Sequence, residues 1–352
     1  MLRVRGFPLR PLYPAGRERL CGLRGGGIRA ARDVVTLSLA RFGLAVGHAT
    51  DAAGGTGCTV VRGVDAPLRG AGAVIGRATG SRELALLEPG HLVERVDAIL
   101  LAGGSAYGLD AAAGVMQWME ERGRGFPVGP GVVPIVPAAV LFDLAPCGRF
   151  DARPTPAMAY AACTSATVDG IAEGAVGAGT GLTVGKCLGP AGAMKGGLGI
   201  AVAEGTGSAA AAIVAVNAFG DVRDASGAII AGARGPDGRF VDTASHLARQ
   251  GTPPAFSAAA PNTTLAVVAV DVALSRLALQ GVARAATAAY HRRITPAGSR
   301  VDGDIVFALA PMEGPAADPG QAEMLAVEAL ELAIERAVRL ARGRDGVPGL
   351  AD

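Results

Sequence analysis

The chain has 352 residues, half of them apolar, and its 33 basic and 31 acidic side chains leave a formal net charge of +2. This length and composition predict a soluble globular protein with enough apolar residues for one large core or two smaller ones. The near balance of charge gives no reason to expect nucleic acid or a membrane surface as a partner, and it leaves a small molecule or peptide as substrate. No apolar run reaches the about 18 residues of a membrane-spanning helix.

The beginning of the chain and its cysteines indicate the compartment. Residues 1–33 contain eight arginines and lack the uninterrupted apolar core of a secretory signal, so they predict a flexible tail or a start codon placed too early rather than a targeting signal. The five cysteines are odd in number and form no C-x-x-C pair; they are Cys21, Cys58, Cys147, Cys163 and Cys187. We therefore expect no zinc site, no disulfide framework, no metal or cofactor, and a reducing cytoplasm.

The first two thirds of the chain contain short apolar segments bounded by Gly, Asp and Pro, which predict strands. These segments are "FGLAVGHAT", "CTVVRG", "GAVIGRAT", "VDAILLAGG", "AVLFDL", "LGIAVAEG" and "AAIVAVNAFG". Helical spacing predicts a helix from Ala106 to about Arg122. Thr155 is expected to cap a second helix, with Pro156 in its first turn.

The last 90 residues predict a β-α-β-α unit. "LAVVAVD" and "DIVFALA" have the composition of strands, and each is followed by a long stretch with helical spacing of apolar residues. Helices that could cover both faces of bunched strands predict layered α and β structure. The stretch from about Arg249 to Asn262, "RQGTPPAFSAAAPN", has the composition of a linker and ends directly before Thr263.

The chain uses 31 arginines but only two lysines, Lys186 and Lys195, and both lie in the glycine-rich segment 174–199. This segment fails as a phosphate-binding loop, because Thr180 stands where the first glycine belongs and Cys187 replaces the hydroxyl. Its glycines instead permit close approach of the backbone to a ligand. A lysine differs from an arginine where a compact ammonium must approach a reacting group, although composition bias alone could also place the two lysines here.

Catalysis by a histidine finds little support in the sequence, because the four histidines show no metal spacing and no partner arrangement. A cut between Asn262 and Thr263 would supply nucleophile and base in one residue, since the freed α-amine of Thr263 has a reference pKa of about 7.7 to 8.0. The hydroxyl could make this cut itself by attacking the preceding carbonyl group. The alternative is that Thr263 and Thr264 merely open a strand, where β-branched residues are common.

Three other polar residues accompany this hypothesis. Asp302 and Asp304 stand two apart at a strand entry, so both side chains can face the same side. The pair could tune Thr263, hold a lysine or position water; the alternative is an ordinary Asp-Gly turn. Asn217 closes an apolar run and is either a structural hydrogen bonder or an oxyanion donor.

Five ordered motifs make the sequence resemble a known family. "LLAGGSAYGLDAAAGV", "VPAAVLFDL", "GTGLTVGK", "NTTLAVVAVD" and "DGDIVFALA" are similar to motifs of the self-processing aminopeptidases of the DmpA type, and most closely to their nylon-oligomer hydrolase branch. The likeness runs from about Gly43 to Leu340. It implies an α+β fold, a four-layer α-β-β-α sandwich shared with ornithine acetyltransferases, in a chain that cuts itself.

The resemblance also implies roles for individual residues. Thr263 corresponds to the nucleophile, Asn217 to the active-site asparagine, Lys186 to the catalytic lysine, and Asp302 and Asp304 to the acidic pair. An α-chain of residues 34–262 and a β-chain of residues 263–352 would form one catalytic domain, assembled as a homotetramer of processed units. Two departures stand out: many members have serine behind glycine at the cut, and they have a strand tyrosine where this chain has Phe142.

Together these observations predict a self-cleaving N-terminal-threonine hydrolase that acts on amide bonds of peptides or peptide-like compounds. One alternative is an acyltransferase of the ornithine-acetyltransferase type, which formation of hydroxamates would reveal. The other is an uncut binding or scaffold protein with the same fold.

Overall fold

The computed structural model describes residues 37–251, 262–315 and 317–352. The predicted tail and most of the predicted linker lie outside these ranges. The linker prediction was wrong at its first residues, because Arg249 belongs to a helix that ends at Gln250. Asp242 caps this helix by accepting a hydrogen bond from the backbone N–H of Ser245, so a local side-chain contact favours helix here.

The described residues form the following elements. The helices are α1 (Ala112–Glu120), α2 (Pro156–Thr164), α3 (Thr243–Gln250), α4 (Arg276–Arg293) and α5 (Pro319–Arg339). The strands are β1 (Leu44–Asp51), β2 (Thr56–Gly63), β3 (Leu68–Val74), β4 (Ser81–Arg82), β5 (Arg95–Val96), β6 (Ala98–Ala102), β7 (Phe126–Val128), β8 (Gly131–Val133), β9 (Ala138–Val140), β10 (Thr183–Val184), β11 (Met194–Lys195), β12 (Gly197–Glu204), β13 (Ala209–Asn217), β14 (Asp221–Arg223), β15 (Ile229–Ala231), β16 (Thr263–Val270), β17 (Ile294–Thr295) and β18 (Ile305–Pro311).

Two larger sheets dominate the fold. We call the five-stranded one, ordered β1-β2-β6-β9-β4, the outer sheet, and the six-stranded one, ordered β12-β13-β16-β18-β3-β5, the site sheet. Within the site sheet β16 and β18 are parallel and adjacent, as the β-α-β-α unit at the end of the chain requires. The neighbours on either side, β13 and β3, are antiparallel to them.

The alternation of side chains along the strands produces four layers. On β16, Ala266 and Val268 pack with the apolar faces of α4 and α5. Leu265 and Val267 point the other way and pack against the outer sheet. The far face of the outer sheet packs against α1 and α2 around the buried Trp118. The order is therefore helices, site sheet, outer sheet, helices, which is the predicted α-β-β-α sandwich.

The predicted start of α2 is confirmed. Thr155 has an extended backbone, its hydroxyl accepts a hydrogen bond from the backbone N–H of Met158, and Pro156 occupies the first turn. Such a cap satisfies a backbone donor that the helix leaves unpaired.

Thr155→Ala should lower the free energy of unfolding by about 1 kcal/mol, because it removes this cap. Thr155→Ser keeps the hydroxyl and should stay close to the unchanged chain. Urea unfolding followed by circular dichroism measures both. Equal stability of the alanine and serine variants would show that the hydroxyl contributes nothing.

Three predicted elements differ from the observed ones. The strand predicted over "GAVIGRAT" lies earlier, because β3 follows β18 only as far as Val74. The strand β9 stops at Val140, before Phe142. The first half of the predicted helix from Ala106 is a 3-10 helix, Ser105–Ala111, that contains Gly108, and glycine is a poor former of α-helix.

Candidate active site

The first residue of β16 is Thr263, and it pairs across the site sheet with Asn217, the last residue of β13. Both residues are buried, with 4% of Thr263 and 1% of Asn217 exposed. Apart from these two, the neighbouring positions of both strands are almost wholly apolar. The predicted nucleophile therefore begins a central strand, where packing on both faces fixes the backbone.

The peptide link between Asn262 and Thr263 is held in place by two hydrogen bonds to its carbonyl oxygen. The Thr263 hydroxyl donates to this oxygen at 2.6 Å, and the backbone N–H of Gly303 donates to it at 2.7 Å. Asn262 also forms a parallel bridge with Asp302, in the register of the β16–β18 pairing and three residues before its first pair, Leu265 with Ile305. The hydroxyl thus lies directly against the carbonyl group that it would attack.

The amine of Lys186 lies between the two asparagines. Its Nζ donates to the carbonyl oxygen and Oδ1 of Asn217, at 3.0 and 2.9 Å, and to Oδ1 of Asn262 at 2.9 Å. Three acceptors match the three donors of an ammonium group. Burial lowers the pKa of Lys186 to about 7, against the opposing effect of the negative charges of Asp302 and Asp304. A substantial neutral fraction is therefore available near neutral pH.

The carboxamide of Asn217 connects the site sheet to neighbouring segments. Its Nδ2 donates to the carbonyl oxygen of Phe142 at 3.0 Å, and its Oδ1 accepts from the backbone N–H of Thr183 at 3.1 Å as well as from Lys186. These hydrogen bonds join Asn217 to other parts of the protein, so the carboxamide has a structural role. The carboxamide has a second N–H, so donation to Phe142 leaves room for a further bond.

The acidic pair is anchored by backbone groups. Oδ1 of Asp304 accepts from the N–H of Thr264 at 2.6 Å and its Oδ2 from that of Gly298 at 2.9 Å, while Oδ2 of Asp302 accepts from Ser299 at 2.8 Å. Burial, and next the charge of Asp302, raise the pKa of Asp304 to about 7. An acid and a base of similar pKa therefore lie close to the same peptide link.

Sequence reasoning missed the segments that hold this pair. The backbone N–H groups of Ile75 and Gly76 donate to the carbonyl oxygen of Asp304, and those of residues 77 and 78 donate to that of Asp302. The backbone N–H groups of residues 298 and 299 donate to the carboxylates of Asp304 and Asp302, respectively. The turn-like composition of "TPAGS" was the one available signal, and it says nothing about which side chains the turn contacts.

The nucleophile and the acidic pair face opposite sides of the site sheet. Residues two apart along a strand face the same side of the sheet. Thr263 therefore faces the outer sheet, as Leu265 does, and Asp304 faces α4 and α5, as Val306 does. Asp302 and Asp304 therefore do face the same side, but it is the side away from the Thr263 hydroxyl. The pair can reach Thr263 only through its backbone.

The second lysine of the chain is a structural residue. Lys195 is buried, and its Nζ donates to the carbonyl oxygens of Thr180 and Leu182, each at 2.8 Å. Burial lowers the pKa of Lys195 to about 8. The lysine thus holds the segment that leads to Thr183 and so to Asn217.

Other kinds of site find no support in the ranges that the structure describes. No group of three His, Cys, Asp or Glu side chains there could hold a metal ion. The cysteines at positions 58, 147, 163 and 187 are buried and free. Among the described helices, none has the length and apolar character needed to cross a membrane.

The sequence is similar to known proteins along most of its length. The family model "Peptidase family S58" matches residues 42–346. An uncharacterized aminopeptidase of Mycobacterium tuberculosis is 45% identical over 241 residues, which are 67% of each chain. A 6-aminohexanoate-oligomer endohydrolase of Kocuria sp. is 31% identical over 306 residues, covering 81% of this chain and 80% of that protein.

Solved structures agree with the four-layer arrangement. The L-aminopeptidase D-Ala-esterase/amidase of Ochrobactrum anthropi, whose structure is described as a variant of the Ntn hydrolase fold, superposes with a TM-score of 0.66 at 21% identity over 89% of this chain and 90% of that one. A Burkholderia sp. β-aminopeptidase gives a TM-score of 0.63 at 19% identity over 88% of both chains. At this identity the likeness concerns the fold alone. The family match, which spans nearly the whole sandwich and the candidate site, shows that the chain belongs to peptidase family S58 and is a hydrolase of amide bonds.

Proposed function

We propose that the chain cuts itself between Asn262 and Thr263, and that the freed Thr263 is the nucleophile of an aminopeptidase-type hydrolase. One observation supports this proposal above all: the Thr263 hydroxyl lies 2.6 Å from the oxygen of the carbonyl group that it would attack. The products would be an α-chain that ends at Asn262 and a β-chain that begins at Thr263. No metal or cofactor enters this chemistry.

In the mature enzyme, the Thr263 hydroxyl attacks the substrate carbonyl while the new α-amine accepts its proton. The proton then passes to the leaving amine, an ester joins the acyl group to Thr263, and water hydrolyses that ester. The second N–H of the Asn217 carboxamide would donate to the oxyanion. Lys186 supplies a positive charge and an exchangeable proton beside it.

The acidic pair has a different task in this proposal. Because Asp302 and Asp304 face away from the hydroxyl, they act on the backbone side of Thr263, where the new amine forms. A carboxylate near an ammonium favours its charged form, so the pair would tune the pKa of this amine. Asp304 already accepts a hydrogen bond from the next backbone N–H, that of Thr264.

We further propose peptides and short amide oligomers as substrates, in the cytoplasm, with a homotetramer of processed units as the assembly. The names of the relatives support this substrate class, because they include aminopeptidases and a hydrolase of 6-aminohexanoate oligomers.

Denaturing mass spectrometry of the purified protein tests the proposal. We expect two fragments that meet between Asn262 and Thr263 and whose masses sum to that of the chain plus one water. The same preparation should hydrolyse aminoacyl p-nitroanilides or 6-aminohexanoate oligomers. A protein that stays as one intact chain on prolonged incubation would contradict self-cleavage.

A further inference from the structure

The carbonyl oxygen of Asn262 has a donor whose role the preceding proposal leaves open. The backbone N–H of Gly303 lies 2.7 Å from it, within the 2.7 to 3.1 Å typical of donors to an oxyanion. The side-chain donors nearby are directed elsewhere: Asn217 Nδ2 contacts the carbonyl oxygen of Phe142, and Lys186 contacts the two asparagines at other atoms. The Gly303 N–H is therefore a backbone donor placed directly on the oxygen of the link to be cut.

The chemistry of the attack makes this donor more important as the reaction proceeds. In the uncut chain, the Thr263 hydroxyl donates its hydrogen to the same oxygen. When the hydroxyl loses that proton, it can no longer donate. The bond from Gly303 then remains while negative charge develops on the oxygen, and a hydrogen bond to a charged acceptor is stronger than one to a neutral acceptor.

The position of Gly303 is fixed and tightly packed. It lies between Asp302 and Asp304, whose carbonyl oxygens each accept two backbone N–H groups from residues 75–78. A Cβ at Gly303 would come within 2.7 Å of the carbonyl oxygen of Ala78 and 2.8 Å of the Thr263 hydroxyl. Only glycine therefore leaves room for the hydroxyl beside the donor. A donor held this firmly needs little reorganisation during the reaction.

We propose that the backbone N–H of Gly303 is the oxyanion donor of the self-cleavage step, and that glycine is required there to admit the Thr263 hydroxyl. This inference rests on the proposed self-cleavage. A bond forms between Thr263 Oγ and the Asn262 carbonyl carbon, whose π electrons move to the oxygen, while the hydroxyl proton passes to the neutral amine of Lys186. The carbon–nitrogen bond then breaks as the nitrogen of Thr263 takes that proton. Water hydrolyses the resulting ester to the Asn262 carboxylate and free Thr263.

Replacing the Gly303 residue with glycolic acid by cell-free translation of the full chain removes the N–H without adding atoms. We expect self-cleavage to slow about 100-fold or more, as for loss of one oxyanion donor. The matched control is glycolic acid at Gly174, a buried glycine whose N–H donates to the carbonyl oxygen of Leu198, also at 2.7 Å. Both replacements weaken the preceding carbonyl as an acceptor; at Gly303 this carbonyl is that of Asp302, which accepts from residues 77 and 78, so the thermal midpoint is needed to report the stability lost there.

The rate is measured by mass spectrometry on the folded fraction, together with the thermal midpoint. A purely structural hydrogen bond would lower the midpoint in both variants and leave the rates within about threefold of each other, and that result would overturn the inference. If the unchanged protein stays intact, the failure is that of the proposed self-cleavage.

A second variant keeps the donor and tests the packing, and it also serves if the glycolic acid chain does not fold. Gly303→Ala retains the N–H but crowds the hydroxyl, and we expect self-cleavage to slow about tenfold or more because small displacements of reacting groups are costly. A folded alanine variant that cuts at the unchanged rate would refute the requirement for glycine.

Discussion

Thr263→Val should leave the chain in one piece and without amide-hydrolase activity. Valine keeps the β-branched shape that suits the start of a buried strand, but it lacks the hydroxyl. Loss of a nucleophile lowers turnover on the order of 10⁶-fold in a well-studied hydrolase. The fold should survive, because one hydrogen bond contributes only about 1 kcal/mol to stability. Mass spectrometry, and hydrolysis of an aminoacyl p-nitroanilide, measure the two effects.

The adjacent threonine is the matched control. The Thr264 hydroxyl is buried and has no hydrogen-bond partner among the described residues. Thr264→Val should therefore fold, cut and hydrolyse as the unchanged chain does. Thr263→Ser retains a hydroxyl and should also cut. A Thr263→Val protein that still divides at this link would exclude Thr263 as the attacking residue.

Lys186→Met should abolish most self-cleavage without unfolding the protein. Methionine fills a similar volume and has no charge to desolvate, but oxygens of Asn217 and Asn262 lose a donor, so we expect a folded protein of lower stability. Loss of a general base typically lowers a rate by about 10² to 10⁴. Because the base form is the neutral amine, the rate in the unchanged chain should rise with pH and level off above about 7, the pKa of Lys186.

Other titrating groups act on this lysine, so the pH profile needs a control. The carboxylates of Asp302 and Asp304 raise the pKa of Lys186, as does Cys147, and Lys195 lowers it. Lys195→Met should lower stability, because two buried carbonyl oxygens lose their donor, yet its folded fraction should keep the rise near pH 7. If the Lys186→Met protein cut itself at the unchanged rate, and that rate still rose near pH 7, another group would be the base.

The features of the fold that follow from local pattern could be predicted. The apolar runs of β16 and β18 and the helical spacing of α4 and α5 specify a β-α-β-α unit, because each element must bury an apolar face. The hydroxyl side chain of Thr155 and the ring of Pro156 likewise marked the start of α2. These signals lie within one element or its immediate neighbours.

The features that depend on contacts between distant segments could not be predicted. Nothing near Val74 indicates that the next residues leave β18 to bind the carbonyl oxygens of Asp302 and Asp304, more than two hundred positions away. The spacing of the two aspartates predicted that they share a face, but not that Thr263 takes the other. That depends on the register between β16 and β18, which is set by packing of whole strands.

If the chain cuts itself as proposed, the three oxygens that accept from Lys186 would make that cut a switch as well as a maturation step. One of these oxygens belongs to Asn262, on the far side of the bond that would break. When the new α-chain end moves away, the ammonium group has one acceptor fewer in a buried place, and it holds its proton less firmly. The amine that the substrate meets would thus have a lower pKa than the amine of the precursor and would give up a proton more readily, with no change in any side chain.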